Sequence, residues 1–220
     1  MAQLDIPDNL PKFDNRIIHF GFQLGASSNG FSLDPRFVPA DSLAKIEVSS
    51  QPGFIIHAVS ELHIGPYFGL RITPGIVFAS RNIEYSYFNK KGTVDAPIVR
   101  SIESTFVEIP LFLKYRSKRV NNFAQYVLAG FNYSYDLASQ QYSDNKVDAA
   151  GEFIVKLKKA NYNLEVGVGF DFFLEYFKFS PEFKFSYGLN NIVVPEQTKY
   201  AAPISDLRSR IFVFAINFEG

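Results

Sequence analysis

The chain has no cysteine and no tryptophan among its 220 residues. Without cysteine there is no disulfide framework, no thiol nucleophile and no cysteine-based zinc site. A net charge is missing too, since 22 acidic residues balance 22 basic ones. Such a chain carries no broad electrostatic footprint for nucleic acid. Also absent is any apolar run of about 18 residues, so no transmembrane helix can be drawn from it. What is abundant is aromatic: 24 Phe and 12 Tyr.

These aromatics fall into stretches that alternate with a period of two. From Ala160 to about Leu174, Tyr162, Leu164, Val166, Val168, Phe170 and Phe172 share one face. Asn163, Glu165, Gly167, Gly169 and Asp171 share the other. That pattern is a β-strand with one greasy and one polar face. Seven more stretches read the same way, over about 16–27, 52–64, 67–81, 103–116, 123–137, 177–188 and 208–218. Pro110 falls inside one of them and cannot donate to a ladder, so a bulge is expected there. Residues 4–15 read as an extended leader with Pro7 and Pro11. A short helical turn is drawn at 41–44, and turn chemistry stands at Asn89-Lys90-Lys91-Gly92.

The connections alternate in length. Short turns stand at Gly65, Ser117 and Glu175, and long connections over 28–51, 82–102, 138–160 and 189–207. Long and short loops in alternation around eight strands predict an all-β, eight-stranded antiparallel up-and-down transmembrane barrel of the outer-membrane type. Two domains of description follow: residues 1–15 as a periplasmic leader, and 16–220 as a single barrel with four long external loops. An even strand count places both termini in the periplasm. Met1-Ala2-Gln3 lacks a basic region followed by an apolar run, so the chain is expected to be the mature part of an exported protein.

Alternation alone does not say which face points in, because a soluble lipocalin-like barrel would bury the greasy one. Volume decides. The interior of an eight-stranded barrel is just wide enough for side chains to fill. The apolar set of Phe, Ile, Leu and Tyr is too bulky for it. The opposite set is small or charged. It includes Arg71, Arg81, Lys114, Lys178 and Lys184, against Glu61, Glu108, Glu165, Asp171 and Glu182. These ten are expected to form a polar network in the lumen, with the greasy face toward outer-membrane lipids. Tyr67, Tyr115, Tyr126, Tyr133, Tyr135, Tyr162 and Tyr187 lie near strand ends, where interfacial aromatics belong.

Candidate chemistry is thin. His19, His57, Glu61 and His63 fall on the lumen face, but His57 and His63 are about 20 Å apart along one strand and cannot share a metal ion. Lumen filling with a His–Glu hydrogen bond is the better reading. No G-x-S-x-G is present, and no histidine lies in a long connection, so a lipid-modifying serine hydrolase is disfavoured. Glu165 and Asp171 are too far apart for an acid pair. Gly167-Val168-Gly169 is better read as room for a bulky neighbour than as part of a phosphate loop. Eight strands leave no aqueous pore. No cofactor, metal or small-molecule substrate is expected.

Several segments together resemble a known family. They are Val107 to Arg119 (VEIPLFLKYRSKR), Tyr133 to Ser139 (YSYDLAS), Val166 to Asp171 (VGVGFD), Phe179 to Ser186 (FSPEFKFS) and Leu207-Arg208-Ser209-Arg210. The chain is similar over roughly 16–218 to the PorT family of outer-membrane proteins from Bacteroidota. The resemblance implies a non-enzymatic part in the type IX secretion system, and in some bacteria in gliding. It also implies other outer-membrane proteins of that system as partners. No catalytic residue carries over. The alternative is a small barrel serving as adhesin, ligand binder or envelope stabiliser.

Overall fold

The computed structural model describes residues 9–36, 43–90, 92–139, 155–195 and 200–220. Nine strands run through them: β1 (Ile18–Pro35), β2 (Leu43–His63), β3 (Phe68–Ile72), β4 (Gly75–Tyr87), β5 (Ile98–Arg116), β6 (Phe123–Asp136), β7 (Ala160–Phe173), β8 (Lys178–Gly188) and β9 (Ile204–Glu219). All pair antiparallel, and apart from β3 and β4, which do not pair with each other, consecutive strands are neighbours in the sheet. β3 and β4 both lie between β2 and β5, and β1 pairs with both β2 and β9. The sheet therefore closes into a ring of eight, with β3 and β4 as two halves of one strand. Closure removes every edge along the wall.

Side chains divide as the alternation predicts. Val168 is 46% exposed and Phe131 65%, while Arg71 and Lys178 are both at 0%. The greasy face is outside and the charged face inside. Such an outward apolar band meets lipid.

The bulge expected at Pro110 is not there, and β5 keeps one register with β6 from Phe106↔Asp136 to Arg116↔Tyr126. Instead the neighbouring strand breaks into β3 and β4 at Thr73-Pro74. The Thr73 amide donates to the Pro110 carbonyl at 3.1 Å, but Pro110 has no N–H to return. Likewise the Ala58 amide donates to the Pro74 carbonyl at 2.9 Å with no bond in return. Two prolines thus thin the ladder at adjoining rungs. The register shifts lie elsewhere, in β2 between Ser50 and Gly53 and again between Leu43 and Lys45, and in β1 between Asp34 and Pro35. The extra residue between Ser50 and Gly53 flips the inward parity of β2. Ile46 and Val48 face in before it, and Ile55 and His57 after it.

Three connections are shorter than expected, because strands run on into them. β1 and β2 take up parts of 28–51, β4 and β5 parts of 82–102, and β9 the end of 189–207. Leu43 and Ala44 of the expected helical turn are strand instead; Asp41 and Ser42 lie outside the described residues. The reason appears on β4, where the pattern inverts. Up to Phe78 the outward residues are apolar, as lipid requires. Beyond it Ser80, Asn82, Glu84 and Ser86 face out while Ile83, Tyr85 and Tyr87 are buried. Outside the lipid the outer face meets water, so the apolar side must turn inward. There it meets Phe31, Val155, Leu157, Ile192, Val193, Tyr200, Ile204 and Leu207 in an apolar core that fills the loop end of the barrel.

The opposite end is also filled. Residues 9–15 do not run on as an extended leader. They fold into a turn ending in a short 3-10 segment, Phe13–Asn15, that enters the mouth of the barrel. Phe13 is 3% exposed and stacks on His19 with ring centroids 3.8 Å apart. The Asn9 amide donates to Asn122 Oδ1 at 2.8 Å, and Asp14 pairs with Arg116 at 2.7 Å. Residues 1–8 of the expected leader lie outside the described residues.

Candidate functional site

The lumen holds the chain's chemistry, and Arg71 stands at its centre. Its Nε donates to Glu61 Oε2 at 2.8 Å and its Nη1 to Glu182 Oε2 at 3.0 Å; Nη2 donates to Glu219 Oε1 at 2.9 Å. Four acids and four bases interlock there. Lys114 Nζ lies 3.2 Å from Glu61 and 3.4 Å from Asp171. Lys178 lies 3.0 Å from Glu219 and 3.9 Å from Asp171, and Lys184 lies 3.7 Å from Glu182. Gln23, Ser180 and Tyr126 take up remaining lone pairs. Gln23 Nε2 donates to Glu182 at 3.1 Å, Ser180 Oγ to Asp171 at 2.6 Å and Tyr126 Oη to Glu182 at 2.7 Å. Buried charge is tolerated only when paired and hydrogen-bonded in this way.

A second polar layer lies nearer the loop end. Asn132 Nδ2 bridges Glu108 at 3.0 Å and Glu165 at 2.7 Å. Ser134 donates to Glu108 at 3.0 Å and Ser186 to Glu165 at 3.1 Å. Arg81 has no carboxylate within ion-pair reach among the described residues. It donates to Ser104 at 2.7 Å and lies between the rings of Phe31 and Phe106, 4.7 and 5.0 Å from their centroids. Aromatic faces and hydroxyls hold this guanidinium where acids hold Arg71.

All ten residues singled out from the alternation thus lie in the lumen, but in two layers rather than one network. The sequence reading missed three members. Glu219 stands one position past the last strand as drawn, although its parity opposite Phe218 would have placed it. Phe13 carries no periodic signal. Tyr126 was expected in the interfacial girdle, and it is 3% exposed in the lumen. Its parity puts it with Ala124 and Leu128, inside, and its ring carries Lys114 Nζ at 3.9 Å from the centroid. Gly169 makes the room: a Cβ there would lie 2.2 Å from Tyr126 Cζ.

The histidines are separated. His19 and His63 lie together at the turn end, ring centroids 4.5 Å apart, and His63 Nε2 lies 3.3 Å from Glu61. His57 sits higher, with Nδ1 3.2 Å from Gln23 Oε1. The Glu61 partner is His63 and not His19, whose Nε2 lies 3.2 Å from the Arg16 carbonyl. No histidine bonds a serine hydroxyl among the described residues, and they hold no group of three metal-ligating side chains. Two voids against the network measure about 10 and 20 Å³, the size of one water. This interior can hold charge and fix shape. Those two voids have no room for a substrate; larger cavities of about 500 and 360 Å³ lie toward the loop end, against Ala79, Ser104 and Thr105 and against Asp136, Val155 and Leu157.

Comparison with known proteins agrees with this architecture. The profile of the outer membrane protein beta-barrel domain family matches residues 1–194. No curated protein matches the chain. Among solved structures it is similar to the outer membrane protein OprG from Pseudomonas aeruginosa, at 16% identity, TM-score 0.51 and 92% coverage of both chains. It is also similar to Neisserial surface protein A at 12% identity, covering 90% of this chain and 95% of that one, TM-score 0.45. Ail of Yersinia pestis, in complex with a heparin analogue, is 7% identical with 93% and 100% covered, TM-score 0.42. At such identities the likeness to OprG speaks to fold alone.

Proposed function

The chain belongs to the outer membrane protein beta-barrel domain family, and we propose that within it this barrel is a non-enzymatic accessory of type IX protein secretion, and of gliding where that uses the same machinery, acting by binding partners. The observation that carries the non-enzymatic half is the filled lumen. Its charges are paired with one another or held by hydrogen bonds and aromatic rings, among the described residues its histidines bond neither serine nor a metal set, and side chains pack into both ends. What remains for function is the outer surface. The secretion half draws its support from the five segments that resemble the PorT family. In this reading the turn end and both termini face the periplasm, the loop end faces outward, and other outer-membrane proteins of the secretion system dock on the rims or the lipid-facing wall.

The adhesin or envelope reading has an observation of its own. β1, β2, β4, β5 and β9 continue past the lipid band and carry the apolar core of the loop end, which is a rigid platform for a ligand. Deletion of the gene separates the two. Under the secretion reading, cargo that carries the C-terminal export signal accumulates inside the cell, and replacing residues 138–160 by an unrelated sequence does the same while the barrel still folds. Normal export by the deletion strain, with raised detergent sensitivity or lost adhesion, would transfer the function to the second reading.

A further inference from the structure

Around most of the ring, the outward residues just past the lipid band are neutral or acidic. They are Ser80, Asn82 and Glu84 on β4 and Ser101, Glu103 and Thr105 on β5. Tyr133, Tyr135 and Tyr162 serve on β6 and β7. β9 differs. Above its lipid-facing Phe214 and Phe212 the next two outward positions are Arg210 and Arg208. They stand about 7 Å apart on one face, two residues of strand rise. Their strand neighbours are small or aromatic. β1 presents Ser28, Gly30 and Ser32 opposite Phe212, Arg210 and Arg208, and β8 presents Tyr187 opposite Arg210. Asp206 holds Arg208 through Nε at 2.5 Å, and the Tyr187 side chain also hydrogen-bonds Arg208, so Arg208 is positioned from two sides. No ion pair or side-chain hydrogen bond holds Arg210 among the described residues. Lys45, further from the band, is tied to Glu47 at 2.7 Å.

We propose that Arg208 and Arg210 form a clamp for the phosphate of an anionic lipid headgroup in the leaflet at the loop end. The planar fork of each guanidinium matches two phosphate oxygens, and the acyl chains of that lipid lie along Phe212, Phe214 and Phe185 below. A lipid is the occupant because the clamp opens at the top of an apolar wall and not toward the aqueous rim. The clamp stands on the β8–β9–β1 side, with Asp206 and Asp34 opposite each other one step further from the lipid.

The test is native mass spectrometry of the full chain folded in micelles, titrated with phosphatidylglycerol, phosphatidylcholine and inorganic phosphate. Phosphatidylglycerol is expected to bind in preference to phosphatidylcholine. The double variant Arg208→Gln/Arg210→Gln should bind it about 30-fold more weakly, about five-fold for each arginine. Lys118→Gln at the opposite rim should leave binding unchanged. Heat-dependent gel mobility reports whether each variant is folded. Where the double variant is not, Arg210→Gln alone is read, with about a five-fold loss expected. Equal binding of the two lipids, binding that survives these variants, or displacement by inorganic phosphate at comparable concentration would each overturn the clamp.

Discussion

Phe13 stacks on His19 with centroids 3.8 Å apart and rings 18° from parallel. This contact makes the leader part of the barrel. Phe173 closes on Phe13 edge-on at 5.7 Å, and Lys178 Nζ lies 4.7 Å from its centroid. The plug therefore covers the floor of the charged network.

Phe13→Ala should destabilise the folded barrel by about 3 kcal/mol, the cost of emptying a buried aromatic site. Urea unfolding in micelles measures it. The amides of Phe173 and His63 should then exchange faster than those of β4, which lies far from the plug. An unchanged midpoint would mean that the turn rests on the mouth without sealing it.

Arg71→Met should cost about 3–5 kcal/mol, because it strips Glu61, Glu182 and Glu219 of their shared cation. The loss should shrink when Glu61→Gln is added, since one uncompensated charge is then removed. A double-mutant cycle isolates that coupling. Strict additivity would count against an interlocked network.

Gly169→Ala should destabilise by about 1–3 kcal/mol through overpacking against Tyr126. Tyr126→Leu should recover part of that loss while giving up the hydroxyl bond to Glu182. If the second substitution only adds to the first, the clash is not the cause.

Val168→Arg, at the lipid-facing wall, should cost about 2–4 kcal/mol, and Ser80→Arg, beyond the band, about 0–1 kcal/mol. The comparison locates the lipid boundary at Phe78/Ser80. Equal costs at the two sites would remove that boundary.

The filled lumen also predicts silence in planar bilayers. Reconstituted barrel should show no conductance steps, because eight strands packed with paired side chains leave no continuous water column. Steps that persist with purified, folded barrel would mean that the lumen opens.

Much of this was legible in the chain. Tyr162 to Phe172 announce a lipid-facing strand by their own order, and Glu165 and Asp171 announce its inner face. The misreadings have local causes. Pro110 by itself predicts a bulge, but proline's missing donor is shared with the neighbouring strand, so β3 and β4 part at Pro74 instead. Tyr126 was placed by its nearness to a strand end, when its parity decided its side. The strands stopped too early because apolar residues such as Ile83 and Tyr85 change face where the solvent changes from lipid to water, and that inversion reads as a loop.

What the sequence determined alone is which residues share a face within each unbroken stretch, since alternation is a property of neighbours along one chain. The tertiary structure decided the partners. Arg71 on β3 meets Glu182 on β8 and Glu219 on β9 because the closed ring brings opposite walls together. Phe13 meets His19 because the turn folds back into the mouth. Both contacts depend on register, tilt and closure, which no single strand encodes.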